Sequence, residues 1–159
     1  MKKIKIRPLF ENDWQDLQKI RLEALLKHPD FFSPSRDETL FSEADWKMRI
    51  LNPNGCIFGI YNQNEIVGIT GIVIDKDNSE VAHFVMSYTK NNFRGMNLSA
   101  LLYSVRIDWA KQQQKIKVLT LDVNESNIPS QSACKKYGFK NTEIFEENGR
   151  KILTFTLHL

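Results

Sequence analysis

The chain of 159 residues contains very little cysteine, and Cys56 and Cys134 are the only two. Two cysteines are too few for a disulfide framework or a structural zinc site, and such sparing use is typical of a protein in the reducing cytoplasm. The three histidines show no metal-ligand spacing around them. We therefore expect a cytoplasmic protein that holds no metal.

Long apolar runs and blocks of one charge are also missing. No segment approaches the roughly 18 uninterrupted apolar residues of a membrane-spanning helix, and no apolar run of signal-peptide length follows the basic start MKKIKIR. The net charge of +3 is small, and no lysine or arginine block stands out. We therefore expect neither a membrane nor a nucleic acid as a partner.

The remaining composition is that of an ordinary globular protein. Hydrophobic residues make up 42% of the chain and charged residues 26%, values that are typical of soluble domains. A length of 159 residues is enough to bury a core. We expect residues 1–159 to form a single domain.

The spacing of apolar residues predicts four helices and seven strands. The predicted helices cover residues 13–28, 42–51 and 96–113, and a short stretch that ends at residue 137. The predicted strands cover residues 3–9, 56–61, 66–74, 79–89, 116–123, 139–147 and 150–159. The order β-α-α-β-β-β-α-β-α-β-β predicts an α/β fold with a mixed sheet, largely antiparallel, in which a helix crosses over between a central parallel pair.

Local signals set several of these boundaries. Asn12 with Gln15 has the spacing of a capping box at a helix start, and Ser42 with Asp45 predicts the start of the second helix. Gly138 is placed to cap the helix before it. The dipeptide at residues 148–149, Asn-Gly, suits a type I′ turn between the last two strands.

The stretch "YTKNNFRGMNLSALL" joins a predicted strand directly to a predicted helix. A helix N-terminus presents unpaired N–H groups and the positive end of the helix dipole, so it can bind an anion. Gly95 would let the backbone approach a bulky ligand, and Arg94 would add a charge. The residues alone also admit a plain polar connection with one glycine for its turn.

Two motifs in this order of elements resemble the GNAT superfamily of N-acetyltransferases. Members carry Arg/Gln-x-x-Gly-x-Gly/Ala between the fourth strand and the third helix. This chain has Arg94 at the start of that motif, and Asn97 and Ser99 at its two glycine-type positions. Asparagine is the non-glycine residue that best tolerates a left-handed backbone. The second motif, "NIPSQSACKKYGF", begins at Asn127 and also matches.

The resemblance implies transfer of an acetyl group from acetyl-coenzyme A to a primary amine of a small molecule, peptide or protein. It implies direct attack through a tetrahedral intermediate, with no metal, and it admits a homodimer. The implied cofactor-binding residues are Ser87, Tyr88, Thr89, Arg94, Gly95, Met96, Asn97, Leu98, Ser99 and Asn127. The alternative is a domain of the same fold that binds acyl-coenzyme A or a partner without turnover.

His83 is the candidate base of the reaction. It lies eleven residues before Arg94, where some members of the superfamily keep a base, and histidine titrates near neutrality with a pKa of roughly 6.5. Strand alternation predicts that it shares a face with Val85, Ser87 and Thr89. The alternative is a half-buried histidine with a packing role only.

The candidate acids are Cys134 and Tyr137. Many members place a tyrosine seven residues after the motif asparagine, to protonate the departing thiolate, and this chain has Cys134 there. A small apolar residue facing the core is the alternative for Cys134. Tyr137 lies one turn later, where it could replace the acid or simply pack before the glycine.

The candidate acceptor site comprises the first two helices, the loop of residues 29–41 and the closing hairpin. Phe31, Phe32 and Trp46 offer apolar and cation-binding surface, and several carboxylates nearby would favour a cationic amine. The alternative is core packing for the aromatic residues and a solvated face for the carboxylates.

Overall fold

The computed structural model describes residues 3–32 and 36–159, and within them it contains seven strands and four helices. The strands are β1 (Ile4–Pro8), β2 (Gly55–Asn62), β3 (Glu65–Ile74), β4 (Val81–Thr89), β5 (Val118–Asn124), β6 (Lys140–Glu147) and β7 (Arg150–His158). The helices are α1 (Trp14–Lys27), α2 (Glu43–Ile50), α3 (Leu98–Gln112) and α4 (Ile128–Lys136). The predicted order of elements is confirmed.

The seven strands form one mixed sheet in the order β1-β2-β3-β4-β5-β7-β6. The pair β4–β5 is parallel, and each of the other neighbouring pairs is antiparallel. Parallel neighbours need a long crossover, which α3 supplies between β4 and β5. The predicted mixed sheet with a central parallel pair is therefore confirmed.

The two parallel strands are paired only at their beginnings. The paired positions start at Val81 with Val118 and end at His83 with Thr120. Beyond them β4 stays paired with β3, and β5 stays paired with β7. The unpaired stretches, residues 84–89 and 121–124, line a gap that we call the β4–β5 cleft, and His83 and Thr120 lie at its closed end.

A bulge interrupts β4 beside this cleft. The register with β3 shifts between Ile69 and Gly71, which leaves one extra residue on β4. Met86, inside the bulge, has a φ of 61°, in the left-handed region that non-glycine residues seldom adopt. A bulged residue lies outside the regular ladder of hydrogen bonds and changes the direction of the strand.

The bulge also exchanges the two faces of β4. Phe84, before the bulge, packs in the core beneath α3 and α4, whereas Tyr88, after it, packs in the core beneath α1 and α2. The strict alternation predicted for this strand is therefore wrong. His83, Val85, Ser87 and Thr89 were predicted to share one face. His83 and Val85 lie before the bulge on one face of the sheet, whereas Ser87 and Thr89 lie after it on the other face.

Trp46 is fully buried, with none of its surface exposed. It belongs to the core that α1 and α2 form with one face of the sheet, together with Leu17 and Ile20. The prediction that Trp46 offers surface to an acceptor is therefore wrong. Its indole fills the core between the two helices and the sheet.

Of the two helix starts predicted from local sequence, one is confirmed in detail and the other differs. Ser42 and Asp45 begin α2 as predicted, and they form a capping box: Oγ of Ser42 accepts from the Asp45 N–H at 3.2 Å, and Oδ2 of Asp45 accepts from the Ser42 N–H at 2.9 Å. The box predicted for Asn12 and Gln15 is wrong. A short 3₁₀ turn precedes α1, and Asp13 accepts the Phe10 N–H at 2.7 Å instead.

The last hairpin has the predicted turn. Asn148 has a φ of 52° and Gly149 a φ of 75°, as the two central positions of a type I′ turn require. Within residues 3–32 and 36–159, no helix is long and apolar enough to cross a membrane. The same residues contain no group of three histidine, cysteine or acidic side chains that could hold a metal ion.

Candidate active site

The loop of residues 94–99 enters α3 through two left-handed residues. Gly95 has a φ of 76°, and a side chain there would meet nothing within 4 Å. Asn97, just before the first residue of α3, has φ 57° and ψ 22°. Asparagine thus occupies the kind of backbone conformation in which glycine is usual.

This helix start leaves N–H groups for a ligand. The first four N–H groups of a helix have no partner within the helix, and the Asn97 side chain makes no capping hydrogen bond to them. Leu98 is buried and anchors the helix, whereas Met96 and Ser99 are exposed. The loop therefore offers backbone donors at the positive end of a helix, where an anion binds well.

Arg94 ties this loop to two other elements. Its Nε donates to the carbonyl oxygen of Thr89 at 3.0 Å, and its Nη2 lies 3.2 Å from Nε2 of His28, at the end of α1. Burial, and then the positive charges of Arg94 and Lys27, hold the pKa of His28 below its ordinary value. A neutral His28 ring can accept the hydrogen bond that the guanidinium donates.

The segment that follows α1 reaches the other side of the cleft. The carbonyl oxygen of Asp30 accepts from Nδ2 of Asn124, at the end of β5, at 3.0 Å. Arg150, at the start of β7, donates to the same carbonyl oxygen at 3.3 Å and to the Asp30 carboxylate at 3.2 Å. Together with the contact between His28 and Arg94, residues 28–30 thus bridge the open end of the β4–β5 cleft.

Phe31 and Phe32 lie in this bridging region. The Phe31 ring stacks on His28 with centroids 5.8 Å apart, and it remains 39% exposed. Phe32 is half-buried, and the Arg21 guanidinium lies 5.0 Å from its ring centroid. Of the three predicted acceptor-binding aromatic residues, Phe31 is the most open to a ligand.

His83 has hydrogen-bond partners on both ring nitrogens. Nδ1 lies 2.6 Å from Oγ1 of Thr120, and Nε2 lies 2.7 Å from Oδ2 of Asp75. The hydrogen bond with His83, and then those from the backbone N–H groups of Asp77 and Asn78, hold the pKa of Asp75 below its usual range. The histidine side chain is 38% exposed, so the trio lies open to solvent at the closed end of the cleft.

The cleft side of β5 carries polar residues that the sequence prediction missed. Leu119 and Val123 are buried beneath α3 and α4, so Thr120, Asp122 and Asn124 face the other side of the sheet with His83. Asp122 is exposed, and its Oδ1 accepts from Oγ1 of Thr154 at 2.7 Å. The alternation of apolar and polar residues in "VLTLDVN" could have predicted which residues of β5 face the cleft. Asp75 lies in a turn, and no sequence pattern predicts its contact with His83.

Cys134 is completely buried among the core residues beneath α3 and α4. Its thiol donates to the carbonyl oxygen of Gln131 at 3.1 Å, and burial raises its pKa. The thiol cannot reach the cleft without opening the core, so the prediction of Cys134 as an acid is wrong. The interpretation as a small apolar core residue fits its position.

Tyr137 lies next to the loop of residues 94–99. Its hydroxyl is 3.4 Å from Oγ of Ser99, and its ring stacks on Tyr103 with centroids 4.4 Å apart. The second motif therefore meets the first at the start of α3. Asn127, at the other end of α4, caps that helix by accepting the Ser130 N–H at 3.3 Å.

The side chains of Ser87 and Tyr88, at the end of β4, make hydrogen bonds within the protein. Oγ of Ser87 lies 2.7 Å from Oγ1 of the buried Thr70. The Tyr88 hydroxyl donates to Glu23 at 2.7 Å, and burial followed by that hydrogen bond raises the pKa of Tyr88 to about 12. Tyr88 is buried, whereas Ser87 is exposed, so the backbone of this stretch and the Ser87 hydroxyl are open to a ligand.

The seven-stranded fold and the loop at the start of α3 are typical of the acetyltransferase class. The chain belongs to the Acetyltransferase (GNAT) family, whose model matches residues 14–139. A curated relative from Bacillus subtilis (strain 168), provisionally named as a ribosomal protein bS18-alanine N-acetyltransferase, is 25% identical over 127 residues, which cover 77% of this chain and 78% of the relative.

Solved structures share the whole fold. A ribosomal-protein-alanine N-acetyltransferase from Brucella melitensis superposes with a TM-score of 0.80 at 18% identity, over 98% of this chain and 99% of the other. A ribosomal L7/L12 alpha-N-protein acetyltransferase in complex with coenzyme A superposes with a TM-score of 0.78 at 12% identity, over 98% and 94% of the two chains.

Proposed function

We propose that this protein transfers the acetyl group of acetyl-coenzyme A to the N-terminal amine of a protein, with a ribosomal protein that begins with alanine as the foremost candidate. The observation that carries the proposal is the pair of left-handed residues, Gly95 and Asn97, which opens α3 beside a cleft between two parted parallel strands. The acceptor is suggested by relatives named for acetylating ribosomal proteins.

The loop of residues 94–99 would hold the diphosphate of coenzyme A. The N–H groups at the start of α3 point to the anion, and Arg94 supplies a positive charge. Tyr137 lies at this phosphate end of the site, beside Ser99, so we assign it to support the loop and not to protonate the thiolate. Backbone groups around the bulge at Met86 would hold the pantetheine arm and polarise the thioester carbonyl.

The acceptor amine would enter from the side of α1 and α2. The segment of residues 28–30 bridges the open end of the cleft there, and Phe31 and Asp122 offer apolar surface and negative charge. An α-amino group has an ordinary pKa of about 8, against about 10.4 for lysine, so a protein N-terminus loses its proton more readily near neutral pH.

His83 would act as the base. Loss of a proton from the amine lets nitrogen attack the thioester carbon, and the tetrahedral intermediate then expels the thiolate of coenzyme A. A free thiol has a pKa of about 8.5, so its thiolate can leave without an acid or take a proton from water. The buried Cys134 takes no part in these steps.

The experiment that tests this function is a turnover assay with matched peptides. Release of free coenzyme A and a gain of one acetyl group would be followed for an alanine-initiated peptide, for the same peptide with a blocked N-terminus, and for a blocked peptide that contains lysine. We expect turnover of the first alone. Binding of coenzyme A without turnover of any amine would support the non-catalytic alternative.

A further inference from the structure

Asp75, His83 and Thr120 form a chain of hydrogen bonds from a turn to the cleft. Asp75 lies just after β3, His83 in β4 and Thr120 in β5, and the two contacts measure 2.7 Å and 2.6 Å. The pairing of His83 with Thr120 is also the last of the parallel register. The hydroxyl of Thr120 therefore lies where the two strands part.

The partners of the ring fix how its protons are arranged. An ionised carboxylate only accepts hydrogen bonds, so Asp75 requires a proton on Nε2 of His83. In the neutral ring Nδ1 is then an acceptor, and the hydroxyl proton of Thr120 points at it. The ring has no unoccupied nitrogen in this arrangement, so a base at His83 would have to work through Thr120.

We propose that Thr120 passes the proton of the acceptor amine to His83, while Asp75 is the positioning residue that holds the ring. This inference rests on the proposed function. Before attack, the acceptor ammonium gives a proton to Oγ1 of Thr120 while the hydroxyl's own proton moves to Nδ1 of His83, and the neutral amine then forms the N–C bond. The carbonyl electron pair goes to oxygen, and the imidazolium is left beside the Asp75 carboxylate.

The second half of the reaction returns the proton held by His83. When the C–S bond breaks, the electron pair leaves with sulfur, the carbonyl double bond re-forms, and the nitrogen loses its second proton to water. The imidazolium then returns its proton through Thr120 to the thiolate or to water. Each step is a proton transfer between groups with ordinary chemistry, and the relay needs no further reactant.

The charges around His83 suit this role. Asp75 contacts the ring directly, and Asp122 follows on the same face of β5. Two further pairs of opposite charge lie in this region: Lys117 is 2.9 Å from Glu80, and Lys76 is 3.9 Å from Asp77. The Asp75 carboxylate is therefore in direct contact with the ring that receives the proton.

The test compares substitutions at each position of the chain in the full protein. Thr120→Val removes the hydroxyl at nearly constant shape, and Thr120→Ser retains it. Thr156→Val is the matched control, because Thr156 lies opposite Thr120 on the neighbouring strand β7. Its hydroxyl contacts Thr142 and not His83. For the carboxylate we would compare Asp75→Asn and Asp75→Glu, with Asp77→Asn as the control in the same turn.

We expect Thr120→Val to lower kcat for the alanine-initiated peptide by about a hundredfold at pH 7, the lower end of the range that acid–base groups contribute. The kcat of Thr120→Val should approach that of the wild type above pH 8, where the amine is already neutral. The kcat of Thr120→Ser should stay within about threefold of the wild type. Asp75→Asn should lower kcat similarly, Asp75→Glu should recover part of it, and both controls should match the wild type. A purely structural role would lower activity equally at every pH.

A second readout is independent of activity. The ¹⁵N shifts of the His83 ring, assigned with His83→Ala, should show the proton on Nε2 in the wild type and a mixture of tautomers in Asp75→Asn. Wild-type kcat and pH profile in Thr120→Val, or a proton found on Nδ1, would overturn the relay while leaving the acetyltransferase intact. An inactive wild type would instead refute the proposed function.

Discussion

Nη2 of Arg94 lies 3.2 Å from Nε2 of His28, and this contact joins the loop at the start of α3 to the end of α1. A guanidinium only donates hydrogen bonds, so the histidine accepts and must be neutral when the contact forms. The proposed phosphate loop and the segment bridging the acceptor side of the cleft are therefore linked through one hydrogen bond.

We expect Arg94→Ala to raise the pKa of His28 toward its ordinary value of about 6.5, because a positive charge that opposes protonation is removed. Because folding lowers the pKa of His28, its contribution to stability is present above about pH 6.5 and is lost as the pH falls. A proton NMR titration of the histidine rings measures the shift. Arg36→Ala, at an exposed arginine, is the control, and an unchanged titration in Arg94→Ala would contradict the contact.

We expect Glu38→Gln to destabilise the fold by about 3–5 kcal/mol, the usual cost of breaking a buried ion pair from one side. The Glu38 side chain is 1% exposed and contacts Arg21 at 3.0 Å and Arg49 at 2.6 Å. Denaturant unfolding measures the loss. Glu43→Gln is the control, since the exposed pair of Glu43 with Lys47 is worth about 0.5 kcal/mol or less.

The same carboxylate should make stability depend on pH. Burial alone would raise the pKa of Glu38, but hydrogen bonds and charge from Arg21 and Arg49 outweigh it and hold that pKa below its ordinary value. Its contribution is therefore present at neutral pH and is lost as the pH falls through the lowered pKa. Equal stabilities of wild type and Glu38→Gln at neutral pH would contradict this assignment.

The backbone at Asn97 gives a prediction about coenzyme A. Asn97→Gly should keep the dissociation constant within about twofold, because glycine adopts a φ of 57° freely. Asn97→Val should raise it about fivefold or more, since a β-branched residue strains the left-handed conformation. Isothermal titration calorimetry measures both, and equal weakening by the two substitutions would show that the asparagine side chain, and not the backbone, matters.

Much of the fold could be predicted because its signals are local. The capping box at Ser42, the turn at Asn148 and the order of helices and strands depend on neighbouring residues alone. The left-handed residue before α3 belongs with them, because Asn97 tolerates that conformation intrinsically. These features need no knowledge of which strands pair.

The errors share a different cause. The bulge at Met86 depends on the register with β3, and it reversed the predicted face of every later residue in β4. Trp46 and Cys134 occupy core positions that only the packing of helices on the sheet defines. Asp75 meets His83 because a turn brings it back beside the strand, and no periodic pattern marks such a residue.

The most direct test of the account is an amide NMR titration of the protein with coenzyme A and, separately, with pantetheine, which lacks the diphosphate. We expect coenzyme A to shift the backbone amide signals of residues 95–99. We expect pantetheine to shift signals around the bulge at Met86 and to leave the signals of residues 95–99 unchanged. Coenzyme A binding that leaves the amides of residues 95–99 unmoved would contradict the central claim that this loop holds the diphosphate.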